Sequence, residues 1–495
     1  MLPATPRAAT GDQSIYLHSA ARLYDGQLIY RDYDQLTFPG TDLLYLLFFK
    51  LFGIRAWIPQ ILLVVVGVLS TGLSLAIAAK VISGPAIFLP ASLFLTLPYS
   101  SYLDATHHQY SALFALSALA VVIKERTPVR LAWAGLLWGL GTFFTQSLVL
   151  GPIAFGVFLV WEHYRKQEAG ERLLRKEAYL LASYAATVAS FIACVSWKVG
   201  LKQFLYCTVT FVAKYFSSYR PGTWSTYMMG WPSVRDWTNW PDLAAWPLIH
   251  LLIPVVYILF FVRYLREERV LTQQPWEQLM LINITGLCLF ATVASAPSWN
   301  RLYTISLPAL IMLAWFLTAP FRLERALLRI LWAVVLISAV ARPIVIQKRW
   351  RAFLNLPTGS TAFFQPGLYQ ETKWLLERTH PSDYFFGDQL LCFDLRLVNP
   401  SRVDYVTPFA FTRPEEVLNV IESLDAQKVR LVSWSPGLED LTDTKDNSLA
   451  PLRRYLAGHY HVAEHFANGH TILERNPEPT SFTSANTFEN KTPPN

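Results

Sequence analysis

The first forty residues concentrate acidic, basic and aromatic side chains in the stretch GDQSIYLHSAARLYDGQLIYRDYDQLTFPG, residues 11–40. A carboxylate such as that of Asp12 can accept the proton of a reacting hydroxyl, although Asp is also a favoured cap for the helix predicted over residues 13–24. Arg31 and Asp32 either bind a ligand or pair with each other, and adjacent charges in a loop favour a salt-bridged turn. The segment therefore offers one candidate base and one candidate binding turn.

A second group of ionisable residues, Asp104, His107 and His108, lies between two apolar runs. Ionisable residues at a membrane boundary are costly and often functional, and the alternative is simple solvation among lipid headgroups. Adjacent residues on a helix point about 100° apart, so the two histidines do not look like a zinc pair. Because the sequence shows no third ligand either, no metal site is predicted.

Three cationic residues in later loops could meet a phosphate group. Arg301 precedes an apolar run, where its guanidinium would suit phosphate oxygens or act as an interfacial anchor. Lys214 and Arg220 lie in the aromatic-rich segment 199–245, where basic groups could contact lipid phosphate. The tryptophans and tyrosines of that segment favour anchoring at a membrane surface over stacking on a sugar.

The elements that position these residues follow from composition. The chain has 495 residues, of which 53% are hydrophobic and only 16% are charged, with a mean hydropathy of +0.29. A soluble domain carries about a quarter charged residues, so these values indicate a multi-spanning membrane protein and exclude cytosolic, fibrous and disordered classes. The net charge of +7 resides in short loops between apolar runs, which indicates topology rather than nucleic-acid binding. Four scattered cysteines indicate no disulfide framework.

Apolar runs predict ten spans, several of them shorter than the roughly 20 residues that cross a bilayer. These runs are 57–80, 85–102, 107–123, 131–146, 148–161, 178–198, 246–263, 277–296, 301–319 and 326–346. A shorter run, 41–53, predicts an interfacial or re-entrant helix. With this count, the Lys- and Arg-rich loops share one side, which the positive-inside rule makes the cytoplasm. The first outer loop 1–42, the long outer loop 199–245 and the C-terminal region then face outward.

Three parts are predicted along the chain: a membrane domain over residues 1–353, a soluble α/β domain over 354–476, and a disordered tail over 477–495. The soluble part alternates predicted helices and strands and ends in a hairpin that turns at Asn468-Gly469. Its predicted elements are helix 367–379, strand 384–386, a helix starting within 412–415, strand 429–434, and hairpin strands 459–466 and 470–475.

The stretch 11–40 resembles the first extracytoplasmic loop of the GT-C membrane glycosyltransferases, including protein O-mannosyltransferase-like and lipid A aminoarabinose transferase-type enzymes. The matching residues are Asp12, Tyr16, Gly26, Tyr30-Arg31-Asp32 and Pro39-Gly40. Gln13 stands where many members carry Glu, and the transmembrane helix that the family places before this loop has no counterpart ahead of Asp12. The Asn-Arg-x-Tyr turn that ends at Tyr303, the long outer loop and the C-terminal domain are similar in layout.

The resemblance implies an α-helical polytopic protein of the plasma (inner) membrane with a small C-terminal extracytoplasmic α/β domain. It also implies an inverting glycosyltransferase that moves a sugar from a polyprenyl-phosphate donor to a lipid, glycan or protein acceptor, without a metal or other cofactor. Asp12 would be the general base. Substrate would be bound by Tyr16, Arg31, Asp32, Asp104, His107, His108, Lys214, Arg220, Arg301 and Tyr303. The alternative is a transporter or flippase, or a non-catalytic binder, of lipid-linked saccharide; the scarcity of charge within the spans favours chemistry at the outer surface.

Overall fold

The computed structural model describes residues 6–9, 11–167, 170–216, 223–228, 230–231, 240–269, 271, 273–294, 296–318, 322–407, 412–435 and 447–477. Most of these residues form helices, and a small mixed sheet lies towards the C-terminal end. The predicted fold class, a polytopic helical protein with a small α/β domain, is confirmed. The predicted tail, apart from its first residue, lies outside the described residues.

The helices, in chain order, are α1 (Asp12–Tyr24), α2 (Gly40–Phe52), α3 (Ile58–Ala78), α4 (Leu89–Phe94), α5 (His107–Val122), α6 (Pro128–Phe144), α7 (Leu150–Lys166), α8 (Gly170–Val199), α9 (Leu201–Leu205), α10 (Trp240–Glu267), α11 (Trp276–Val293), α12 (Trp299–Thr304), α13 (Leu307–Leu317), α14 (Arg322–Lys348), α15 (Pro366–Leu376), α16 (Gln389–Leu395), α17 (Pro414–Ala426) and α18 (Ala450–His459). Tighter or wider turns extend several of them: 3₁₀ turns at Gly84–Phe88, Gln146–Val149 and Thr223–Met228, and π turns at Leu95–Tyr99, Tyr206–Thr210 and Val212–Phe216.

Among the described residues, six helices are long and apolar enough to cross a membrane: Ile58–Ala78, Gln146–Lys166, Gly170–Val199, Asp242–Glu267, Trp276–Val293 and Leu323–Lys348. A helix satisfies its own backbone groups, which an apolar run needs in lipid. The other predicted spans are shorter helices or helices in pieces, namely Gly84–Tyr99, α5, α6 and α13. The chain is a multi-pass membrane protein, and the count of ten spans stays a prediction.

The segment before α5 is fixed by a basic residue from the last long helix. The carbonyls at the end of a helix lack intrahelical partners. Here the guanidinium of Arg342, in α14, donates to three carbonyls at the end of the π turn Leu95–Tyr99. The acceptors are Thr96 (2.9 Å), Leu97 (3.2 Å) and Ser100 (3.3 Å). Arg342 also pairs with Asp242 at 2.9 Å, so α14 and α10 together hold the segment that leads to His107.

An ion-pair network around Glu162 joins the C-terminal ends of α5 and α7. Glu162 is 1% exposed. Its carboxylate accepts hydrogen bonds from Arg126 and from Lys166 at 2.8 Å, and Lys176 lies 3.4 Å away. Glu277 of α11 shares two of these cations. Since α5 begins at residue 107, this network lies at the other end of the membrane helices from the histidine pair.

The soluble domain contains a hairpin and a four-stranded sheet. The strands are β1 (Ala352–Leu356), β2 (Gly359–Phe363), β3 (Phe385–Phe386), β4 (Leu431–Trp434), β5 (Tyr460–His465) and β6 (Thr471–Arg475). The sheet order is β3-β4-β6-β5, with β3 parallel to β4 and the other pairs antiparallel. The α/β alternation with an antiparallel end was predicted, whereas the β1–β2 hairpin was not. Helix α17 begins at Pro414, within the predicted range 412–415, and Glu416 accepts the N–H of its cap, Arg413.

The soluble domain sits on α1 and the turn that follows it. An aromatic stack between Phe49 of α2 and Phe393 of α16, with ring centres 6.0 Å apart, adds an apolar contact. The ion pairs across this junction are Arg22–Asp404 (2.5 Å), Arg396–Asp25 (2.9 Å) and Arg402–Asp34 (3.3 Å). A cavity remains between this junction and the membrane helices.

Candidate active site

Asp12 is presented by a glycine turn at the start of α1. Gly11 has a φ of 61° and a ψ of −143°, a backbone conformation that essentially only glycine adopts. The helix begins at Asp12, with Gly11 as its N-cap, so the carboxylate is not the cap that the sequence offered as an alternative. Asp12 is half-buried and forms no ion pair with any residue that the structure describes. The carboxylate is therefore available to a ligand.

Tyr16 lies one helical turn further along α1 and connects Asp12 to the histidine pair. Its hydroxyl is hydrogen-bonded to Nδ1 of His107 at 2.7 Å and lies 3.2 Å from Oγ1 of Thr37. Burial raises the pKa of Tyr16 well above its ordinary value, with the charge of Asp12 adding to the effect. The side chain therefore stays a neutral hydroxyl that orients His107.

The two histidines begin α5 and converge with Asp12. Their ring centres are 3.8 Å apart, both side chains are buried, and Nε2 of His108 has no hydrogen-bond partner. Ligand atoms of Asp12, His107 and His108 lie within 4.8 Å of one another, a set that could hold a divalent cation. The sequence-based argument that no third ligand exists was wrong, because Asp12 arrives from a segment that is distant in sequence.

Arg301 supplies the cation of the site. It belongs to the short helix α12, whose start is fixed by Asn300: Oδ1 of Asn300 accepts the N–H of Arg301 at 3.0 Å. The guanidinium also donates to the carbonyl of Ala296 at 3.4 Å. This places Arg301 on the wall of the same cavity as Asp12, where a planar guanidinium suits phosphate oxygens.

The cavity has a volume of about 260 Å³ and is bounded by three parts of the chain. The first outer segment and the membrane helices form most of its wall, and the soluble domain closes the remaining side. Its polar and aromatic lining comprises Asp12, Tyr16, Asp34, Gln35, Thr37, His107, His108, Thr145, Gln146, Ser147, Tyr206, Cys207, Phe211, Thr292, Arg301, Asp404, Tyr405, Arg413 and Glu416.

Asp104 stands behind the cavity wall rather than on it. Its carboxylate lies 3.4 Å from the guanidinium of Arg7, and a Cβ placed on Gly11 would be 3.8 Å from its Oδ2. Burial raises the pKa of Asp104 to about 6, although Arg7 opposes the shift. Asp104 thus borders the turn that presents Asp12 without facing the cavity.

No protein-family model and no curated protein matches the chain. Solved structures do. ArnT from Cupriavidus metallidurans bound to undecaprenyl phosphate superposes with a TM-score of 0.57 at 13% identity, over 94% of both chains. The chain has the GT-C fold. The archaeal oligosaccharyltransferase AglB from Archaeoglobus fulgidus, in complex with an inhibitory peptide and a dolichol-phosphate, superposes with a TM-score of 0.50 at 12% identity, over 87% of this chain and 66% of that one. The resemblance predicted from sequence is confirmed for the fold.

On this GT-C fold, five predicted site residues are brought together: Asp12, Tyr16, His107, His108 and Arg301. Others lie elsewhere. The guanidinium of Arg31 pairs with the neighbouring Asp32 at 2.8 Å in an exposed turn outside this cavity, which fits the alternative of a salt-bridged turn; their binding role stays a prediction.

Three further predicted binding residues, besides Asp104, do not line the cavity or cannot be placed. Lys214 is exposed, with its Nζ 5.2 Å from the centre of the Tyr215 ring, and it does not line the cavity. Tyr303 is buried against Trp299, with ring centres 5.3 Å apart, which makes it a packing residue of α12. Arg220 lies outside the described residues.

Further charged residues line the cavity: Asp404, Arg413 and Glu416, which sequence reasoning did not select, and Asp34, which it weighed with Arg31 and Asp32 as a binding or turn residue. Asp404 is held by Arg22 at 2.5 Å and by His18 at 3.5 Å. Burial alone would raise the pKa of Asp404, and the charges of Arg22 and His18 outweigh it, so the pKa lies below its ordinary value. The only sequence signal for these residues was their charge in a region of mixed composition.

Proposed function

We propose that this protein is a membrane glycosyltransferase that moves a sugar from a polyprenyl-phosphate donor to a hydroxyl of a lipid, glycan or protein acceptor, on the outer face of the plasma (inner) membrane. One observation carries the proposal: the carboxylate of Asp12 and the guanidinium of Arg301 line a single cavity. One group can accept a proton and the other can stabilise a phosphate that leaves as an anion. Transfer of a sugar from a lipid phosphate needs both functions in one place.

The proposed reaction is a single displacement at the anomeric carbon. The acceptor oxygen forms its bond to that carbon while the bond between the carbon and the phosphate oxygen breaks. The acceptor proton passes to Asp12, and the electron pair leaves with the polyprenyl phosphate, whose charge Arg301 stabilises. A single displacement inverts the anomeric configuration, so the product's stereochemistry reports on the mechanism.

The identity of the donor is proposed from the two similar structures. One is described as bound to undecaprenyl phosphate and the other as in complex with a dolichol-phosphate. Both are polyprenyl phosphates, and Arg301 gives this chain a cavity residue suited to the same headgroup. We propose that transfer needs no resident cofactor, with the histidine pair placing Asp12 through Tyr16 and the contacts of the buried rings.

The proposed topology is supported by the positions of charge along α5. The helix begins at His107, at the cavity, and the network of Glu162, Arg126 and Lys166 lies at its other end. Since Lys and Arg are enriched in cytoplasmic loops, that end faces the cytoplasm and the cavity faces outward. The soluble domain, which covers the cavity, is then extracytoplasmic.

The experiment is a transfer assay on the purified protein in detergent. It uses polyprenyl-phosphate donors with different radiolabelled sugars and a membrane extract as the source of acceptor. Asp12→Asn should lower the transfer rate by about 10²–10⁴-fold, the usual contribution of a general base. The matched control is Asp25→Asn, at the other end of the same helix and outside this cavity, which should leave the rate unchanged.

Two outcomes would contradict the proposal. Equal transfer by wild type and Asp12→Asn removes Asp12 as the base. Binding of the donor without transfer by the wild type favours a non-catalytic binder, and movement of intact donor across a vesicle membrane favours a transporter or flippase. Determination of the product anomer by NMR separates inversion from retention.

A further inference from the structure

We infer that the soluble domain binds the sugar of the donor. Arg413 and Glu416 of that domain form the sugar-binding part of the cavity together with Asp34. The inference rests on the proposed function and concerns the end of the cavity that Asp12 and Arg301 do not occupy. Its ligand class is a neutral, hydroxyl-rich ring such as an unmodified hexose or pentose.

Arg413 is held rigidly over an aromatic platform. Its guanidinium carbon lies 5.5 Å from the ring centre of Tyr206, 5.2 Å from that of Phe211 and 5.2 Å from that of Tyr215. Tyr206 and Tyr215 belong to the two π turns that follow α9 and Phe211 lies between those turns; Tyr206 and Phe211 also line the cavity. Aromatic faces in a cavity suit the C–H faces of sugars, so the platform offers a stacking surface.

The positive charge of Arg413 is neutralised by carboxylates of its own helix. Glu416 lies 2.9 Å from its guanidinium and also accepts the backbone N–H of Arg413 at 2.9 Å. Glu415 lies 2.8 Å from the same guanidinium. A neutralised guanidinium is a poor site for a second phosphate, but its N–H groups and the Glu416 oxygens can still bond to hydroxyls, which both donate and accept.

Asp34 supplies the facing carboxylate, and it is tied to the same domain. Its backbone N–H donates to the carbonyl of Arg402 at 3.0 Å, and its carboxylate lies 3.3 Å from the Arg402 guanidinium. Burial raises the pKa of Asp34 while Arg402 opposes the shift. Arg402 is paired with Asp34, and Arg413 is paired with Glu415 and Glu416, so neither guanidinium carries an uncompensated positive charge, which fits an uncharged ligand.

The position of the sugar follows from the position of its phosphate. The anomeric carbon is joined to phosphorus through a single oxygen, so a phosphate at Arg301 places the ring within the same cavity. For a single displacement, the acceptor hydroxyl that donates its proton to Asp12 must approach that carbon from the side opposite the phosphate. Groups of the soluble domain and Asp34 line the same cavity and can bond to the ring hydroxyls.

The test separates the phosphate end from the sugar end with two ligands and three variants. The ligands are polyprenyl phosphate without sugar, as a competitor, and the polyprenyl-phosphate hexose or pentose that the wild type binds most tightly. Asp34→Asn and Arg413→Lys should weaken binding of the sugar-bearing donor by about 10–100-fold, as expected for one or two lost hydrogen bonds to charged groups, and leave polyprenyl phosphate binding unchanged. Arg301→Lys should weaken both ligands.

Arg378→Lys is the matched control, because that guanidinium also stacks on an aromatic ring, at 4.2 Å from the centre of Trp374, but lies outside the cavity. It should change neither affinity. Transfer with donors of different sugars adds a second readout: Asp34→Asn and Arg413→Lys should alter the ratio of kcat/KM values between sugars.

The inference is overturned if both sugar-end variants weaken the two ligands alike, or weaken neither. Should Arg413→Lys unfold the soluble domain, Asp34→Asn decides the question alone, since Asp34 belongs to the first outer segment. Failure of the proposed function looks different: the wild type would then transfer sugar from no donor, while the binding comparison between the two ligands would still report on the sugar end.

Discussion

Two carboxylates at opposite ends of the membrane helices, Glu162 and Asp12, show different uses of the same chemical group. Glu162 is buried among Arg126, Lys166 and Lys176, so its charge is fully compensated. Asp12 lies beside two imidazoles and a cavity and has no ion pair among the described residues. A carboxylate bound to three cations stabilises the fold and has little affinity left for a proton. A carboxylate without such partners contributes less to stability and can react.

The largest loss of stability should therefore come from Glu162. Glu162→Gln should lower the free energy of unfolding by about 3 kcal/mol, because the buried Arg126 then keeps only Glu277 as a counter-charge. Asp12→Asn should change it by less than about 1 kcal/mol. Thermal unfolding of the purified protein in detergent measures both. The comparison breaks if Asp12→Asn destabilises the protein as much as Glu162→Gln does.

Asp394 shows a third way to bury a carboxyl, without any charge. Its Oδ2 has no hydrogen-bond partner, and burial raises its pKa from 3.8 to about 8. The folded state then keeps a proton that the unfolded state releases, so stability falls as pH rises from about 4 to about 8. Asp394→Asn removes this dependence and should add about 4 kcal/mol to stability at pH 7.

The measurement for Asp394 is a series of unfolding temperatures at pH 4, 5, 6, 7 and about 8 for wild type and variant. The advantage of Asp394→Asn should be absent at the acidic end and grow with pH. A constant difference between the two proteins would show that the carboxyl does not titrate in this range.

A smaller effect is expected for the hydroxyl that joins Asp12's helix to His107. Tyr16→Phe removes the 2.7 Å hydrogen bond to Nδ1 of His107 and should lower kcat about 10-fold, because the imidazole loses its fixed orientation. Tyr24→Phe, on the same helix but against Lys50, is the control and should retain full activity. A change in KM alone would assign Tyr16 to binding rather than to positioning.

The smallest effect is expected from chelation. Dialysis against EDTA should leave the transfer rate unchanged if Asp12 acts as a base without a cation. A loss of activity that is restored by a divalent ion would instead assign that ion to Asp12, His107 and His108, which have suitable ligand atoms within 4.8 Å of one another. In that case Asp12 would be a metal ligand, and the comparison with Glu162 would be between a metal-bound carboxylate and an ion-paired one.

Sequence patterns predicted the parts of the molecule that rest on local physics. Apolar runs located the long helices, although their ends differ from the observed ones by up to eight residues, and Asn468-Gly469 located the final hairpin turn. Asp12 and Arg301 were selected as a candidate base and a candidate phosphate ligand, and Tyr16 through the family resemblance; all three line the cavity. The number of membrane spans was harder to predict, because several apolar runs form helices that are apolar enough but shorter than a membrane span.

Residues that reach the cavity through long-range folding were not predictable. Arg22 and Asp404 pair across 382 positions in sequence, and no local pattern marks either residue as a partner of the other. The convergence of Asp12 with the histidine pair was missed for the same reason. Helical geometry describes neighbours on one element, whereas this cluster is assembled by the packing of α1 beside the start of α5.

Arg342 connects the helix that leads into the soluble domain with the segment before α5. Helix α14, which carries Arg342, ends at Lys348, four residues before β1 of the soluble domain begins at Ala352. The guanidinium of Arg342 is hydrogen-bonded to the segment that leads to His107. The soluble domain and the segment before His107 are therefore attached to the same helix, the first through the chain and the second through the hydrogen bonds of Arg342. The orientation of α14 thus sets the position of the domain that covers the cavity and of the segment that leads to its histidines.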